Sequence, residues 1–293
     1  LKIKVLRRTV TTNENWIDVG TLNWFYRDAK PNNSMSERPP VLFLHGLPSQ
    51  SYGWVPVLDA VAAEGFWAIA PDWLGFGFSA KPDKRDFAYT PDAYVAALEQ
   101  FITTLDIPKP FHLVVQGFVG TAGLQLALQK PEWIDRLVIL NAPILPTAKV
   151  PWKIQQLGLP LIGDMLTQDP LLVDRTLEGG AVYRVEDADL DVYRRPFLKS
   201  SDAGRSLLAA VRNLKVLEVA TALQTGYQSW EKPVLLAWGV DDPWLPITLA
   251  ETFAASLKSA EVVRLEQVGH YPQQDWHEKV SEAILHFFRR QVS

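Results

Sequence analysis

Of the residue types that can attack a substrate or move its proton, this 293-residue sequence holds five histidines and a spread of serines, threonines and carboxylates, but no cysteine. A thiol nucleophile, disulfides and thiolate metal sites are thereby excluded. The stretch built to present an attacking group is Phe111 to Lys130, FHLVVQGFVGTAGLQLALQK, an apolar run that turns through glycines into an alanine- and leucine-rich helix. A strand-to-helix turn this sharp lifts its apex side chain above a sheet, which is the layout of a nucleophile elbow, usually G-x-S-x-G and in some branches built on a carboxylate. Here the apex, after Val115 and Gln116, is Gly117, which has nothing to attack with. Thr121 lies on the same helical face but one turn on, about 6 Å along the axis, and so out of register. Ser49 and Ser51 read as a turn residue and a helix cap.

The elements that must hold such a site alternate. Residues 2 to 10 and 16 to 28 show polar and apolar side chains in turn, as two antiparallel strands at a sheet edge would. A Pro-, Asn- and Ser-rich loop (31 to 40) leads to VLFLHG, a continuous apolar run suited to a central parallel strand, and Gly46, Leu47 and Pro48 make a turn. A helix from Ser51 to Gly65, the strand FWAIA and the loop PDWLGFGFSAKP follow. Thr90 caps a helix from about Pro91 to Leu105, Pro131 stops the elbow helix, and IDRLVILNAP is a further strand. Between about Pro146 and Trp230 no buried strand can be read, and this is expected to be a helical cap inserted into the core. The sheet resumes at VLLAWG, with a helix near 248 to 257, the strand EVVRLEQV and a last helix from about Gln274 to Arg290. The organisation expected is a core over 1–145 and 232–293 interrupted by a cap over 146–231. Strands alternating with helices predict a mostly parallel sheet covered on both faces, with ligands bound beyond the carboxyl ends of the strands.

Five segments in chain order, LHGLPSQSYGW, PDWLGFGFSAKP, HLVVQGFVG, AWGVDDPWLP and VGHYPQQD, resemble the haloalkane dehalogenase and epoxide hydrolase branch of the α/β-hydrolase superfamily. The stretch TQDPLLVDRTLEGGAVYRVEDADLDVYRRPFL also looks like a cyanobacterial and plastid subgroup of that superfamily in which glycine replaces the nucleophile. The resemblance implies an α/β-hydrolase fold with an inserted helical cap, the acid of a triad at Asp242 and the base at His270. Its chain order of elbow, acid, base agrees with these positions. It implies an oxyanion hole from the backbone N–H groups of Leu47 and Phe118, donors that survive a change of side chain. It also marks the departures. Gly117 stands for the Asp or Ser nucleophile, Phe118 for a halide-binding Trp, Leu47 for a frequent Asn, and Val119 for a Gly that keeps the strained turn uncrowded. Dehalogenation thus loses its nucleophile and its halide donors. Gly117 relaxes the apex on this reading, so that a branched neighbour at 119 fits, and the two are a matched pair.

For the remaining groups the structural reading is preferred. His45 shapes the oxyanion turn, Asp72 with Gly75, Gly77 and Ser79 makes a turn, and His112, His277 and His286 occupy ordinary strand or helix positions. Trp54, Trp152 and Trp244 are candidates to line an apolar pocket between sheet and cap. Tyr183, Tyr193 and Tyr227 fall in or beside the cap, where epoxide hydrolases carry ring-opening tyrosines, but they cannot be aligned with these. No metal site and no cofactor is expected, and a net charge of −4 gives no attraction to nucleic acid or anionic lipid. Gln116, Gln125 and three glycines argue against a membrane span in the uncharged run from Phe111 to Gln129. A protein partner is left open without a motif to support it. The location expected is the cytoplasm, or the plastid stroma if a transit segment has been removed. Two functions lead, ahead of an ordinary nucleophilic hydrolase that uses an unrecognised serine or threonine. One is an enzyme in which His270, oriented by Asp242, acts as general base on a small apolar molecule without a covalent intermediate. The other is a non-catalytic relative that binds a ligand or a protein.

Overall fold

The computed structural model describes residues 10–31, 38–169 and 171–290. Within them the chain runs β1 (Asn13–Val19), β2 (Leu22–Ala29), β3 (Val41–Leu44), α1 (Val55–Ala63), β4 (Ala68–Pro71), α2 (Pro91–Thr104), β5 (Phe111–Gln116), α3 (Gly117–Gln129) and β6 (Ile134–Leu140). Six helices follow: α4 (Trp152–Gly158), α5 (Ile162–Leu166), α6 (Leu172–Gly180), α7 (Asp187–Lys199), α8 (Asp202–Arg212) and α9 (Val216–Gly226). The sheet closes with β7 (Val234–Gly239), α10 (Thr248–Ala255), β8 (Ala260–Leu265), α11 (Pro272–Asp275) and α12 (His277–Arg289). The expected strand at 2 to 10 and most of the polar loop lie outside the described residues. The single strand expected over 16 to 28 is instead a hairpin, because Gly20, at φ +61°, lets the chain reverse between Val19 and Leu22.

The eight strands are ordered β1-β2-β4-β3-β5-β6-β7-β8, antiparallel over the first three and parallel beyond. Because successive strand residues point to opposite faces, each buried strand feeds two cores. Phe111, Leu113 and Val115 of β5 join Leu42 and Leu44 of β3 in the core beneath α2 and α3. Val114 joins Val41 and Phe43 in the core beneath α1 and α12. That double burial is why these strands read as unbroken apolar runs. Thr90 caps α2 as expected, its side chain accepting from the Ala93 N–H. Ser51 does not cap α1. A 3-10 turn over Ser51–Trp54 leads into that helix, and the Ser51 hydroxyl accepts instead from buried Arg27 at 2.8 Å.

The chain leaves β3 towards β4 on one side and returns across it to β5 on the other. This is a topological switch point, where the loops after two neighbouring strands diverge and leave a crevice. Leu44 pairs with Val115, so the same register two residues on sets Gly46 opposite Gly117. The helices α4 to α9 are inserted between β6 and β7, which are hydrogen-bonded neighbours.

Candidate active site

Gly117 is the first residue of α3 and keeps a φ of +70°, the left-handed geometry of an elbow apex. The turn keeps the elbow's geometry, and glycine adopts it without the steric penalty of a Cβ. A Cβ built there would lie 3.6 Å from His270 Nε2 but only 2.9 Å from the Gly46 Cα. Backbone crowding from Gly46, more than Val119, thus governs what the apex can hold. Val119 packs into the apolar core at the first turn of α3.

His270 and Asp242 meet across the crevice. His270 Nδ1 stands 2.9 Å from Asp242 Oδ2, with neither side chain exposed to solvent. Asp242 is itself fixed. Its Oδ2 accepts from Asn141 Nδ2 at 2.8 Å and its Oδ1 from the Trp244 N–H at 2.7 Å. Asn141 follows β6 at φ +37°, a conformation Asn tolerates better than most residues, and its Oδ1 accepts from the Gly239 N–H. Neighbouring Asp241 faces elsewhere, its Oδ2 accepting from the exposed Gln267 N–H at 2.9 Å. A carboxylate at Nδ1 selects the tautomer in which Nδ1 carries the proton and Nε2 offers its lone pair. That Nε2 is buried with no hydrogen-bond partner among the described residues.

The loop after β3 is clamped from three sides. His45 Nδ1 donates to Gly46 O at 2.7 Å, while its Nε2 accepts from the Trp73 N–H. Burial holds the His45 imidazole below its ordinary pKa, as this structural role requires. Gln116 Oε1 accepts from the Gly46 N–H at 3.0 Å, and its Nε2 donates to His270 O at 2.7 Å. Tyr271 Oη donates to Leu47 O at 2.9 Å. The peptide that carries the Leu47 N–H is therefore held through Gly46 O by His45, and the peptides on either side by Gln116 and Tyr271, while Phe118 N–H belongs to the first turn of α3, whose amides lack helical partners. Sequence reading missed Asn141, Gln116 and Tyr271 as parts of the site. The available signal was their adjacency: each ends a strand or directly follows His270.

Trp244 and Phe118 flank the imidazole, with ring centroids 4.5 and 5.7 Å away. The other two candidate tryptophans are corrected. Trp54 is fully buried against Phe43 in the core beneath α1 and α12, and Trp152 is 63% exposed at the start of α4, so neither encloses a ligand near His270. From the inserted helices it is Gly180 that reaches the base, its carbonyl accepting from the His270 N–H at 2.7 Å. Tyr193 Oη bonds Gln274, Tyr227 Oη bonds Leu124 O, and Tyr183 lies half-exposed against Trp276. Thr121 Oγ1 is turned back onto Phe118 O at 2.7 Å. Asp72 accepts from the Ser51 and Phe78 amides, a structural turn as expected. Among the described residues no cluster of His, Cys, Asp and Glu could hold a metal ion, and no helix is long and apolar enough to cross a membrane.

This geometry can hold a proton acceptor in a buried site and keep it in one tautomer. Similar proteins share the fold. A haloalkane dehalogenase of Bradyrhizobium diazoefficiens is 28% identical over 277 residues, covering 85% of this chain and 86% of the relative. A cis-3-alkyl-4-alkyloxetan-2-one decarboxylase of Xanthomonas campestris is 26% identical over 288 residues, covering 90% and 95%. The crystal structure of the haloalkane dehalogenase DbeA from Bradyrhizobium elkani superposes with a TM-score of 0.84 at 26% identity, over 94% of this chain and 97% of that one. The profile of the α/β hydrolase fold matches residues 39–275, and the chain belongs to that family.

Proposed function

We propose that the protein is an enzyme of the α/β-hydrolase family that works without a covalent nucleophile on a small apolar substrate. His270, oriented by Asp242, takes a proton from water or from the substrate, while the N–H groups of Leu47 and Phe118 receive the developing oxyanion. The observation that carries this reading is His270 Nε2, buried, unpartnered among the described residues, and aimed at the place where a side chain on Gly117 would begin. A buried nitrogen left without a hydrogen bond costs about 1–3 kcal/mol. A held Asp242 and an open Nε2 together are what a general base needs. Gly117, with Gly46 pressed against it, removes the covalent route.

General-base catalysis supplies a factor of about 10²–10⁴. Unactivated esters and amides are therefore poor candidates, and strained or activated acyl compounds good ones. A four-membered lactone with two alkyl arms, the kind of compound named for the Xanthomonas relative, fits that demand. Dehalogenation is not proposed, since neither a nucleophile nor the family's halide-binding Trp and Asn stand at the matching positions. The second reading, a non-catalytic ligand-binding protein, is favoured by the enclosure of His270 under Gly180, Tyr271 and Trp244.

The test is to incubate a metabolite extract supplemented with a dialkyl oxetan-2-one with the wild-type protein and with His270→Ala, following each compound by mass spectrometry. Consumption by the wild type, reduced about 10²-fold or more in the variant, is the expected outcome. Compounds retained unchanged by both proteins would replace the enzyme reading with the ligand-binding one.

A further inference from the structure

A groove of about 710 Å³, open to solvent, separates the loop after β4 from the end of α7 and the start of α8. Its apolar wall is Phe78, Pro196 and Leu198, and Leu198 is 67% exposed. Three cations, Lys81, Arg195 and Lys199, line the same space. None of the three has a carboxylate within ion-pair distance among the described residues, where most other basic side chains of this acidic chain do. Lys81 Nζ donates to two carbonyls, Gly77 O at 2.7 Å and Ser79 O at 2.9 Å. Burial, and to a lesser degree Lys199, bring its pKa down to about 8 against the pull of Asp72. The one carboxylate on the wall, Asp202, is already engaged by Arg205 and by Ser200 Oγ. Gathering three unpaired cations costs free energy that an anion would recover. Phe78 packs on Phe25 of β2, on the antiparallel side of the sheet, whereas His270 and Asp242 follow β8 and β7. The groove is thus distinct from the His270 site.

We propose that this groove binds an anionic amphiphile, its alkyl or acyl chain against Phe78, Pro196 and Leu198 and its carboxylate or phosphate head among Lys81, Arg195 and Lys199. The charge is complementary, and the volume lies within the range of ordinary small-molecule sites, enough for an alkyl chain. Arg195 and Lys199 are exposed, so reversing them leaves the core untouched.

The experiment is calorimetric titration of the full chain with dodecanoate, dodecyl phosphate, dodecanol and inorganic phosphate, each below its aggregation threshold. Saturable one-site binding of the two anionic amphiphiles is expected. In the double variant Arg195→Glu/Lys199→Glu the affinity should fall roughly tenfold or more, as loss of charge-assisted bonds implies. His270→Ala should bind as the wild type does. The proposal would be overturned by no saturable binding of either amphiphile, equal affinity in the double variant, dodecanol binding as tightly as dodecanoate, or inorganic phosphate binding as tightly as dodecyl phosphate. Loss of binding in His270→Ala would instead put the amphiphile in the other crevice, and this proposal would fall while the reading of His270 stood.

Discussion

At the scale of the residue, the apex is decided by two glycines. Gly117 holds φ +70° and Gly46 lies so near that a Cβ at 117 would sit 2.9 Å from its Cα. A side chain there meets backbone, which cannot swing aside as a long side chain can. Gly117→Ser is expected to cost about 1–3 kcal/mol, from the left-handed conformation and the displacement of Gly46 together. It should not restore strong esterase activity, because the loop that carries the Leu47 N–H has to move to admit it. Urea denaturation and hydrolysis of an aryl ester check both halves, and a stable, vigorous esterase would show that the Gly46 loop yields freely. The change needed to accept a nucleophile is in this sense shared between positions 117 and 46. The resemblance picked Asp242 over Asp241, but the contact that distinguishes them appears only in three dimensions. Both follow β7, but the Asn141 amide selects one, and Asn141 is 101 residues distant in the chain.

At the scale of the element, α7 contains Pro196, which has no N–H to give to the Val192 carbonyl one turn earlier. Gln50 Nε2 fills that place from the core, donating to Val192 O at 3.0 Å. The helix is thereby fastened beside the loop after β3. Gln50→Ala is expected to destabilise the protein by about 1 kcal/mol by removing the part-buried bond to the Val192 carbonyl. Adding Pro196→Ala should recover part of that loss, since an alanine N–H can close the helical bond. Independent, additive effects of the two substitutions in denaturant titrations would contradict the linkage. Elements of the sheet were legible in the sequence because burial on both faces leaves a continuous apolar signature, as in VLFL and VLLAWG. The hairpin at Gly20 was not, since an alternating pattern runs through a two-residue turn without losing its period. The inserted helices were legible as short helical patterns and an absence of strands, but not in their arrangement. Their pairing depends on contacts such as Gln50 with Val192 or Arg194 with Asp174 that no local pattern announces.

At the scale of the whole molecule, two buried histidines, His45 beyond the end of β3 and His112 at the start of β5, sit at opposite ends of the sheet, and burial lowers the pKa of each. Asp135, 3.2 Å from His112 Nδ1, opposes that shift without overcoming it. The unfolded chain takes up protons at these side chains near pH 6.5, where the folded chain does not. Stability is therefore present in full above that value and is lost as the pH falls from about 6.5 towards the folded values. Melting temperatures at about pH 7.5, 6.5 and 5.5 should decline in that order, and a flat or rising series would be inconsistent with neutral, buried imidazoles. The site itself is assembled from both ends of the sequence. Gly46, Leu47 and Phe118 precede the inserted helices, and Asp242 and His270 follow them. A single cut near the exposed Leu161 and Met165 would accordingly leave the amides on one fragment and the base on the other, joined by the pairing of β6 with β7. Seen so, the chain is a self-complementing pair of fragments, with the inserted helices as their tether.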